Sequence, residues 1–299
     1  MTLPVLVLLG ATAVGKTALS LDVAESLNAE IINADSMQLY RGMDIGTAKV
    51  PMGERRGIPH HMLDVLDVTE SANVADYQRA ARSTIDDIHA RGKHVVLVGG
   101  SGLFIQAVIE DLQFPGSEPS IRQRLEEDAD RLGTESMYRR LHDFDPAAAA
   151  NILPNNLRRI IRALEVLEIT GSAPRTRLTK LPDVYQSVRV GLRRPREELA
   201  TRIERRVNDM WEQGLVAEVA ALETRGLRDG LTASKALGYA QVLNGLDGLC
   251  TMEQAALDTV SATRKFAKRQ DSWFGRDQHI SWLDAATASV DSVLDLLQS

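Results

Sequence analysis

The sequence predicts an α/β fold, in which a parallel β-sheet is covered by helices and interrupted by a helical insertion. Short apolar segments alternate with amphipathic helical patterns in the first part of the chain, as is typical of a parallel sheet with both faces covered. A glycine-rich turn directly follows the first of these segments. Residues 118–181 then change to an almost wholly helical pattern, and a strand-like pattern returns at residues 187–192.

The first part of the chain contains four predicted strands, at residues 5–9, 30–33, 61–65 and 94–98. Helices are predicted between them, at residues 17–27 and 74–91. The second helix has the clearer pattern, because Ala81, Ile85 and Ile88 recur on one face. Gly92 follows this helix and is expected to end it.

The helical block at residues 118–181 has predicted breaks at Asp145-Pro146, Leu153-Pro154 and Gly171. Because this block lies between two strand-bearing parts, we interpret it as an insertion into the α/β core. The predicted domains are a core of residues 1–114 and 185–299 and an inserted domain of residues 115–184.

Beyond the insertion, residues 187–192 are predicted to return to the sheet as a strand. One long helix is then predicted from Pro195 to about Arg225, with Pro195 at its start and Gly226 at its end. The remaining C-terminal residues are predicted to be helical and polar.

Composition limits the class of protein. The 299 residues are 44 % hydrophobic and 25 % charged, and the net charge of −6 argues against a protein that is basic over its whole surface. Cys250 is the single cysteine, so no intrachain disulfide forms and a reducing compartment is favoured. We find no leader and no long apolar run, and therefore expect a cytoplasmic protein without a membrane partner. We further expect a monomer.

Residues 10–17 read GATAVGKT and directly follow the first predicted strand. A strand, a glycine-rich turn and a helix start are the setting of a phosphate-binding loop, the kind found in ATP-binding proteins. Gly10 and Gly15 permit backbone turns that point successive N–H groups at anionic oxygens. Lys16 adds a positive charge, and the Thr17 hydroxyl can bind Mg²⁺. The predicted diphosphate- or nucleotide-binding residues are Gly10, Ala11, Thr12, Ala13, Val14, Gly15, Lys16 and Thr17.

Two more predicted strands end in polar or glycine-rich segments. Asp35 follows the second strand, and Gly99-Gly100-Ser101 follows the fourth. Ligands of open parallel sheets bind beyond the carboxyl ends of the strands, so both segments are expected near the phosphate loop. From its position alone, Asp35 is a Mg²⁺ ligand, a general base or a turn-capping residue.

Basic residues form three local clusters along the chain. They are Arg158, Arg159 and Arg162; Arg193, Arg194 and Arg196; and Arg264, Lys265, Lys268 and Arg269. Each cluster alone is explained as a solvated helix face, whereas together they indicate an anionic polymer or an additional phosphate contact. His60 and His61 are interpreted as structural, because a zinc site needs three or four convergent ligands.

Seven motifs occur in order along the chain: GATAVGKT at 10–17, DSMQLYRGMDIGTAK at 35–49, PHHMLDV at 59–65, VADYQ at 74–78, LVGGSGLF at 97–104, KALGYAQ at 235–241 and RKFAKRQ at 264–270. Together they closely resemble the bacterial tRNA dimethylallyltransferases, the isopentenyl-tRNA or IPP transferase family. This resemblance implies a P-loop kinase-like core with a helical insert that grips the tRNA anticodon stem-loop. It also implies transfer of a dimethylallyl group from dimethylallyl diphosphate to N6 of the adenosine at tRNA position 37, with Mg²⁺ as cofactor.

The resemblance implies roles for individual residues. Asp35 would take the N6 proton, Ser101 would act with it at the catalytic centre, and the phosphate loop would hold the leaving diphosphate. Lys235 lies where some members have a diphosphate-binding arginine. The implied tRNA-binding residues are Asp35, Ser36, Met37, Gln38, Ser101, Arg122 (or, second, Arg124), Arg158 and Arg159. The chain has Ala11 and Ser101 where proline and threonine are common in the family.

Three alternatives stay open. A relative that prenylates a free adenine nucleotide would need no helical insert rich in arginine. A P-loop phosphotransferase or nucleotide-hydrolysing switch would be expected to have an aspartate at the end of the strand at residues 94–98, although Asp35 could serve. A non-catalytic tRNA-binding protein would not need Lys16, Thr17 and Asp35 together.

Overall fold

The computed structural model describes residues 3–171 and 181–298. The chain forms two compact units. The core unit contains the residues up to Glu110 and those from Asp183 onward, and the inserted unit is Asp111–Pro182.

The core unit is built on a parallel sheet of six strands. The strands are β1 (Val5–Gly10), β2 (Ala29–Asn33), β3 (His60–His61), β4 (His94–Gly99), β5 (Ser187–Arg193) and β6 (Ile280–Asp284). Their order across the sheet is β3-β2-β4-β1-β5-β6, and every neighbouring pair is parallel. The fold class predicted from the sequence is therefore confirmed, and the carboxyl ends of the strands share one edge of the sheet.

Helices cover the sheet and form the inserted unit. They are α1 (Lys16–Leu27), α2 (Val74–Ala90), α3 (Gly102–Ile109), α4 (Pro119–Leu132), α5 (Thr134–Phe144), α6 (Pro146–Ala149), α7 (Leu157–Thr170), α8 (Arg196–Glu212), α9 (Leu215–Glu223), α10 (Tyr239–Leu246), α11 (Met252–Phe274) and α12 (Val290–Gln298). The helices α4 to α7 belong to the inserted unit, and the others belong to the core unit. None of the helices described here is long and apolar enough to cross a membrane.

Side chains of β1 alternate between the two apolar layers of the core unit, which lie on opposite faces of the sheet. Val7 and Leu9 point to the layer that contains α2 and α3, whereas Leu6 and Leu8 point to the layer that contains α1 and α8. Successive strand side chains face opposite sides of a sheet, so a strand that is buried on both faces needs apolar residues throughout. This explains why the first strand reads as an uninterrupted apolar run.

The predicted strand at residues 61–65 is wrong beyond His61. The chain leaves the sheet there because Met62 and Asp64 take left-handed backbone conformations, with φ of 59° and 56°. The Asp64 carboxylate turns toward Lys49 and lies 2.6 Å from its Nζ.

Two other predictions for the core unit need correction. The single helix predicted from Pro195 to about Arg225 is divided into α8 and α9, because Gly214 between them has φ of 98° and cannot continue a helix. The segment Ile280–Asp284, predicted to be helical, is the edge strand β6 paired with β5.

Within the described part of the inserted unit, four helices pack around a small core that includes Leu125, Met137, Leu141, Ile160 and Leu164. The predicted breaks at Asp145-Pro146 and Gly171 are confirmed, since α5 ends before Asp145 and Gly171 caps α7 with φ of 73°. Another break, at Gly133, was not predicted from the sequence. Residues 172–180, over which the helical prediction also extends, lie outside the described residues.

Candidate active site

A polar cleft lies at the carboxyl ends of β1, β2 and β4, where the sequence predicts a ligand site. It is lined by Thr12, Lys16, Thr17, Asn33, Asp35, Gln38, Thr47, Gly99, Gly100, Arg206 and Gln270, among others. The strand order places β4 between β1 and β2, so the phosphate loop and Asp35 flank the turn after β4. The structure thus brings together the segments predicted from three separate strand ends.

The phosphate loop connects β1 to α1 through backbone conformations that glycine favours. Gly10 has φ of 146° and Gly15 has φ of 117°. A Cβ atom at Gly10 would lie 2.7 Å from the Leu192 carbonyl oxygen, so the close approach of β5 also requires glycine here. The Lys16 ammonium folds back over the loop and donates to the carbonyl oxygens of Gly10 and Ala11, both at 2.9 Å.

Two arginines hold the outer side of the phosphate loop. Arg194 Nε donates to the Val14 carbonyl at 2.9 Å, and Arg202 Nε donates to the Ala13 carbonyl at 2.8 Å. These two bonds fix the loop backbone at Ala13 and Val14, and a third, from the Thr12 N–H to Gln270 Oε1, fixes it at Thr12. Arg194 therefore acts on the loop backbone, and the interpretation of the basic clusters as a contact to an anionic polymer or a further phosphate stays a prediction.

Arg206 is a cleft residue that sequence reasoning missed. It projects from α8, lines the cleft with Lys16 and Asp35, and donates to the Thr47 carbonyl at 3.3 Å. Lys235, the residue implied for diphosphate binding, is exposed on a short 3₁₀ turn and does not line this cleft. The sequence signal for Arg206 is its position four residues after Arg202 on a predicted helix, which fits a solvated face equally well.

The pKa of Lys16 is lower than that of an ordinary lysine. Burial lowers its pKa from 10.5 to about 8, and the positive charge of Arg206 acts in the same direction. The carboxylates of Asp35 and Asp271 act in the opposite direction. Two cations facing one cleft suit a ligand with more than one negative charge, such as a diphosphate.

Asp35 is held by its neighbours just beyond β2. Its backbone N–H donates to Asn33 Oδ1 at 3.1 Å, and Asn33 Nδ2 donates to the Asp35 and Met62 carbonyls. The Asp35 Oδ1 atom accepts from the Met37 backbone N–H at 2.9 Å. Within the described residues, its Oδ2 atom accepts no hydrogen bond, so one carboxylate oxygen of this half-buried side chain is available to a ligand.

The segment after Asp35 is fastened by contacts that the sequence does not reveal. Gln38 Nε2 donates to the Thr47 carbonyl at 3.1 Å, so residues 38 and 47 close one loop. The buried Lys49 ammonium lies 2.6 Å from Asp44 and from Asp64 and donates to the Tyr40 carbonyl at 2.8 Å. Ser36 and Met37 lie half-buried at the start of this loop.

Glu218, on α9, binds the same loop from outside. It accepts hydrogen bonds from the backbone N–H groups of Asp44, Ile45 and Gly46, and from the Tyr239 hydroxyl at 2.5 Å. Burial and the neighbouring Glu218 carboxylate raise the Tyr239 pKa. The motif KALGYAQ therefore contributes a buried tyrosine that fixes the loop, since Tyr239 has no exposed surface.

Ser101 lies at the turn between β4 and α3. Its backbone N–H donates to the Ala34 carbonyl at 3.3 Å, and its half-buried side chain caps no N–H group of α3. A Cβ atom at Gly99 would lie 2.2 Å from the same Ala34 oxygen. Glycine at this position thus lets the ends of β2 and β4 meet, and it brings Ser101 to the same edge as Asp35.

The inserted unit holds the arginines that the resemblance assigns to tRNA. Arg122 lies 3.0 Å from the carboxylate of Glu165, which has no exposed surface and also accepts from Arg162 at 2.9 Å. Burial favours a higher Glu165 pKa, but the hydrogen bonds from Arg162 and Ser117 lower it. Arg158 and Arg159 are exposed at the start of α7 and form no ion pair within the described residues. Arg122 thus has a structural partner, whereas Arg158 and Arg159 face solvent.

Comparison with known proteins places these observations in one family. The family model described as IPP transferase matches residues 38–277. The tRNA dimethylallyltransferase of Thermobifida fusca is 57 % identical over 93 % of this chain and 89 % of its own length. The tRNA dimethylallyltransferase of Streptomyces coelicolor is 53 % identical over 95 % and 91 %.

Solved structures of tRNA-modifying prenyltransferases also resemble this chain. The full-length tRNA isopentenylpyrophosphate transferase of Bacillus halodurans superposes with a TM-score of 0.72 at 40 % identity, covering 99 % of this chain and 94 % of its own. A eukaryotic dimethylallyltransferase acting on tRNA superposes with a TM-score of 0.82 at 29 % identity, covering 95 % of this chain and 74 % of its own.

Proposed function

This chain belongs to the IPP transferase family, and we infer that it is a prenyltransferase that modifies tRNA. It transfers a dimethylallyl group from dimethylallyl diphosphate to N6 of the adenosine at tRNA position 37, beside the anticodon, and releases diphosphate. The observation that carries this proposal is the convergence of the phosphate loop, Lys16 and Arg206 with the free carboxylate oxygen of Asp35 in one cleft. A diphosphate leaving group and an amine acceptor need these two kinds of group at one reacting carbon.

The leaving group is the anionic part of the reaction. Loop N–H groups other than that of Thr12, the start of α1, Lys16 and Arg206 bind the diphosphate, and they stabilise the negative charge that grows on it as the allylic C–O bond breaks. The allylic carbon carries positive charge well, so stabilising the departing anion lowers the barrier directly. All these groups come from one chain, and we propose that the enzyme acts as a monomer in the cytoplasm.

The residues present fit a bound Mg²⁺. Among the described residues no group of three or more histidine, cysteine or acidic side chains could hold a metal alone. Mg²⁺ in phosphate sites is held by one or two protein groups together with phosphate oxygens and water, and Thr17 lines the cleft beside Lys16. Such an ion would neutralise part of the diphosphate charge.

The acceptor amine needs positioning and a base. We assign this role to Asp35, whose available carboxylate oxygen would accept a hydrogen bond from N6. As the N6 lone pair forms the bond to the allylic carbon, the electron pair of the C–O bond leaves with the diphosphate and the N6 proton passes to Asp35. Ser36, Met37, Gln38 and Ser101 would surround the adenine, which must leave the anticodon-loop stack to reach them.

The inserted unit supplies the surface for the anticodon stem-loop. Arg158 and Arg159 are exposed and would bind phosphates of the RNA. Arg122 would do so from a site shaped by its ion pair with Glu165.

Nucleoside mass analysis tests the proposed function. The purified protein is incubated with Mg²⁺, dimethylallyl diphosphate and unmodified tRNA, and the digested RNA is examined for a prenylated adenosine. The product is expected with tRNA and absent when AMP replaces it. ATP turnover without prenyl transfer, or prenylation of AMP in preference to tRNA, would overturn the proposal.

A further inference from the structure

Gln270 lies on α11 with only 5 % of its surface exposed, and its amide reaches the cleft. We propose that Gln270 is a positioning residue that fixes the phosphate loop against the turn carrying Ser101, and so sets the distance between the two substrates. This inference rests on the proposed function, because it assigns the diphosphate to one loop and the adenosine to the other.

Both halves of the Gln270 amide are used. Its Oε1 atom accepts from the Thr12 backbone N–H at 2.9 Å, and its Nε2 atom donates to the Gly100 carbonyl at 2.9 Å. The two bonds span sequence separations of 258 and 170 residues. Glutamine provides both a donor and an acceptor at this reach, whereas the glutamate carboxylate lacks the donor and asparagine is one methylene shorter.

The helix α11 packs closely against the glycines after β4. A Cβ atom added to Gly100 would lie 2.2 Å from Gln270 Nε2, and one added to Gly102 would lie 2.2 Å from the Trp273 ring. Ala267 and Phe274 flank Gln270 on the same helix and are buried in the layers on the two faces of the sheet. The helix α11 is therefore seated directly on the backbone after β4, and its glutamine is held in position.

The two segments that Gln270 joins would contact different substrates. Thr12 is in the loop that would hold the diphosphate, and Gly100 precedes Ser101, which would contact the adenosine. One side chain thus joins the leaving-group side of the cleft to the acceptor side. Reactions of two bound substrates depend steeply on their separation, and a misplacement of about 1 Å can cost about a hundredfold in rate.

A double-mutant cycle tests this role. In a protein that keeps Gln270, Gly100→Ala would displace the Gln270 amide, because the new Cβ would lie 2.2 Å from its Nε2 atom. Outside Gln270 and the chain neighbours, the nearest atom is the Gly10 carbonyl oxygen at 3.4 Å, which is an ordinary contact. Gln270→Ala removes the amide and makes room for that Cβ. We expect each single variant to lower kcat for tRNA prenylation by about 10- to 100-fold, and the double variant to be no slower than either single variant.

The measurement separates positioning from general destabilisation. We would determine kcat, KM for each substrate and the melting temperature for every variant. Gln254→Ala, an exposed glutamine on the same helix, is the control and should behave as wild type. Gln270→Met, which keeps the side-chain volume and lacks both hydrogen bonds, should lower kcat even when it is assayed well below its own melting temperature, where the enzyme is fully folded. It provides the test if Gln270→Ala fails to fold.

Two results would overturn this inference. One is a Gln270→Met enzyme with kcat within about twofold of wild type, and the other is a double variant slowed by the product of the two single effects. Absence of prenyl transfer by the wild-type protein would instead refute the proposed function, so the two failures are distinguishable.

Discussion

The lowered pKa of Lys16 predicts a pH dependence that an ordinary phosphate-loop lysine would not give. With a pKa of about 8, the ammonium is about 90 % protonated at pH 7 and about 10 % protonated at pH 9. A lysine with the usual pKa of 10.5 would still be about 97 % protonated at pH 9. In the free enzyme, the fraction of Lys16 that is protonated and can bind the diphosphate therefore falls about tenfold per pH unit above pH 8.

The assay compares the wild type with Lys16→Arg between pH 6.5 and 9.5, at saturating tRNA, and reports kcat/KM for dimethylallyl diphosphate. Arginine stays protonated over this range, so the ratio of the two enzymes cancels ionisation of the substrates. We expect a ratio that is constant below about pH 7 and falls about tenfold per unit above pH 8.

Arg206→Ala provides the control for the cause of this shift. Removing a neighbouring positive charge should raise the Lys16 pKa and move the fall to higher pH, whereas Asp35→Asn should move it to lower pH. A wild-type to Lys16→Arg ratio that stays constant up to pH 9.5 would refute the reasoning, because Lys16 would then keep its charge or the charge would not matter.

Three further predictions follow from the contacts described. Asp35→Asn keeps the acceptor for the Met37 N–H but removes the base, so single-turnover rates should fall by about 10²- to 10⁴-fold with tRNA affinity in filter binding nearly unchanged. The hydrogen bond from Arg91 lowers the Glu30 pKa to about 2, so Glu30 stabilises the fold above pH 4.5 and this is lost as the pH falls toward 2. Glu30→Gln should then cost about 2 kcal/mol in urea unfolding at pH 7, less than for a fully buried pair because Arg91 is half exposed. Glu218→Gln leaves fewer acceptors for the N–H groups of residues 44–46, and should raise KM for tRNA and lower the melting temperature.

These predictions have separate controls. An Asp35→Asn enzyme within threefold of wild type would remove Asp35 as the base. For Glu30, whose side chain is 2 % exposed, the matched variant is Glu25→Gln, because Glu25 also pairs with an arginine but is 65 % exposed. This variant should change the free energy of unfolding by less than about 0.5 kcal/mol. For Glu218, the control is Glu223→Gln on the same helix, which removes a partly exposed ion pair with Arg228 and should leave KM for tRNA unchanged. Equal effects of the two variants on KM would count against a specific role for the loop.

Local sequence patterns predicted the parts of the site that lie within a few residues of a strand end. The phosphate loop is a continuous segment between β1 and α1, and its glycines, Lys16 and Thr17 are adjacent in the chain. Asp35 and Ser101 were placed near it because parallel strands bring their carboxyl ends to one edge. The roles implied for Lys235, Arg122, Arg158 and Arg159 stay predictions.

The residues that complete the site come from distant helices, and periodicity could not select them. Arg206 and Gln270 lie on amphipathic helices whose polar positions look alike in sequence, and only the packing of α8 and α11 decides which ones face the cleft. Glu218 was missed for the same reason. The strand β6 was missed because it is a five-residue edge strand within a largely helical part of the chain.

The sequence by itself determined the α/β class, the phosphate loop, the approximate place of the acceptor loop and the family resemblance, because these depend on short-range geometry and contiguous motifs. Only the tertiary structure decided that Arg206 faces Lys16, that Arg194 and Arg202 hold the loop carbonyls, and that Gln270 joins Thr12 to Gly100. The physical reason is that a hydrogen bond across 258 residues depends on how whole helices pack onto the sheet, and no local propensity encodes that packing.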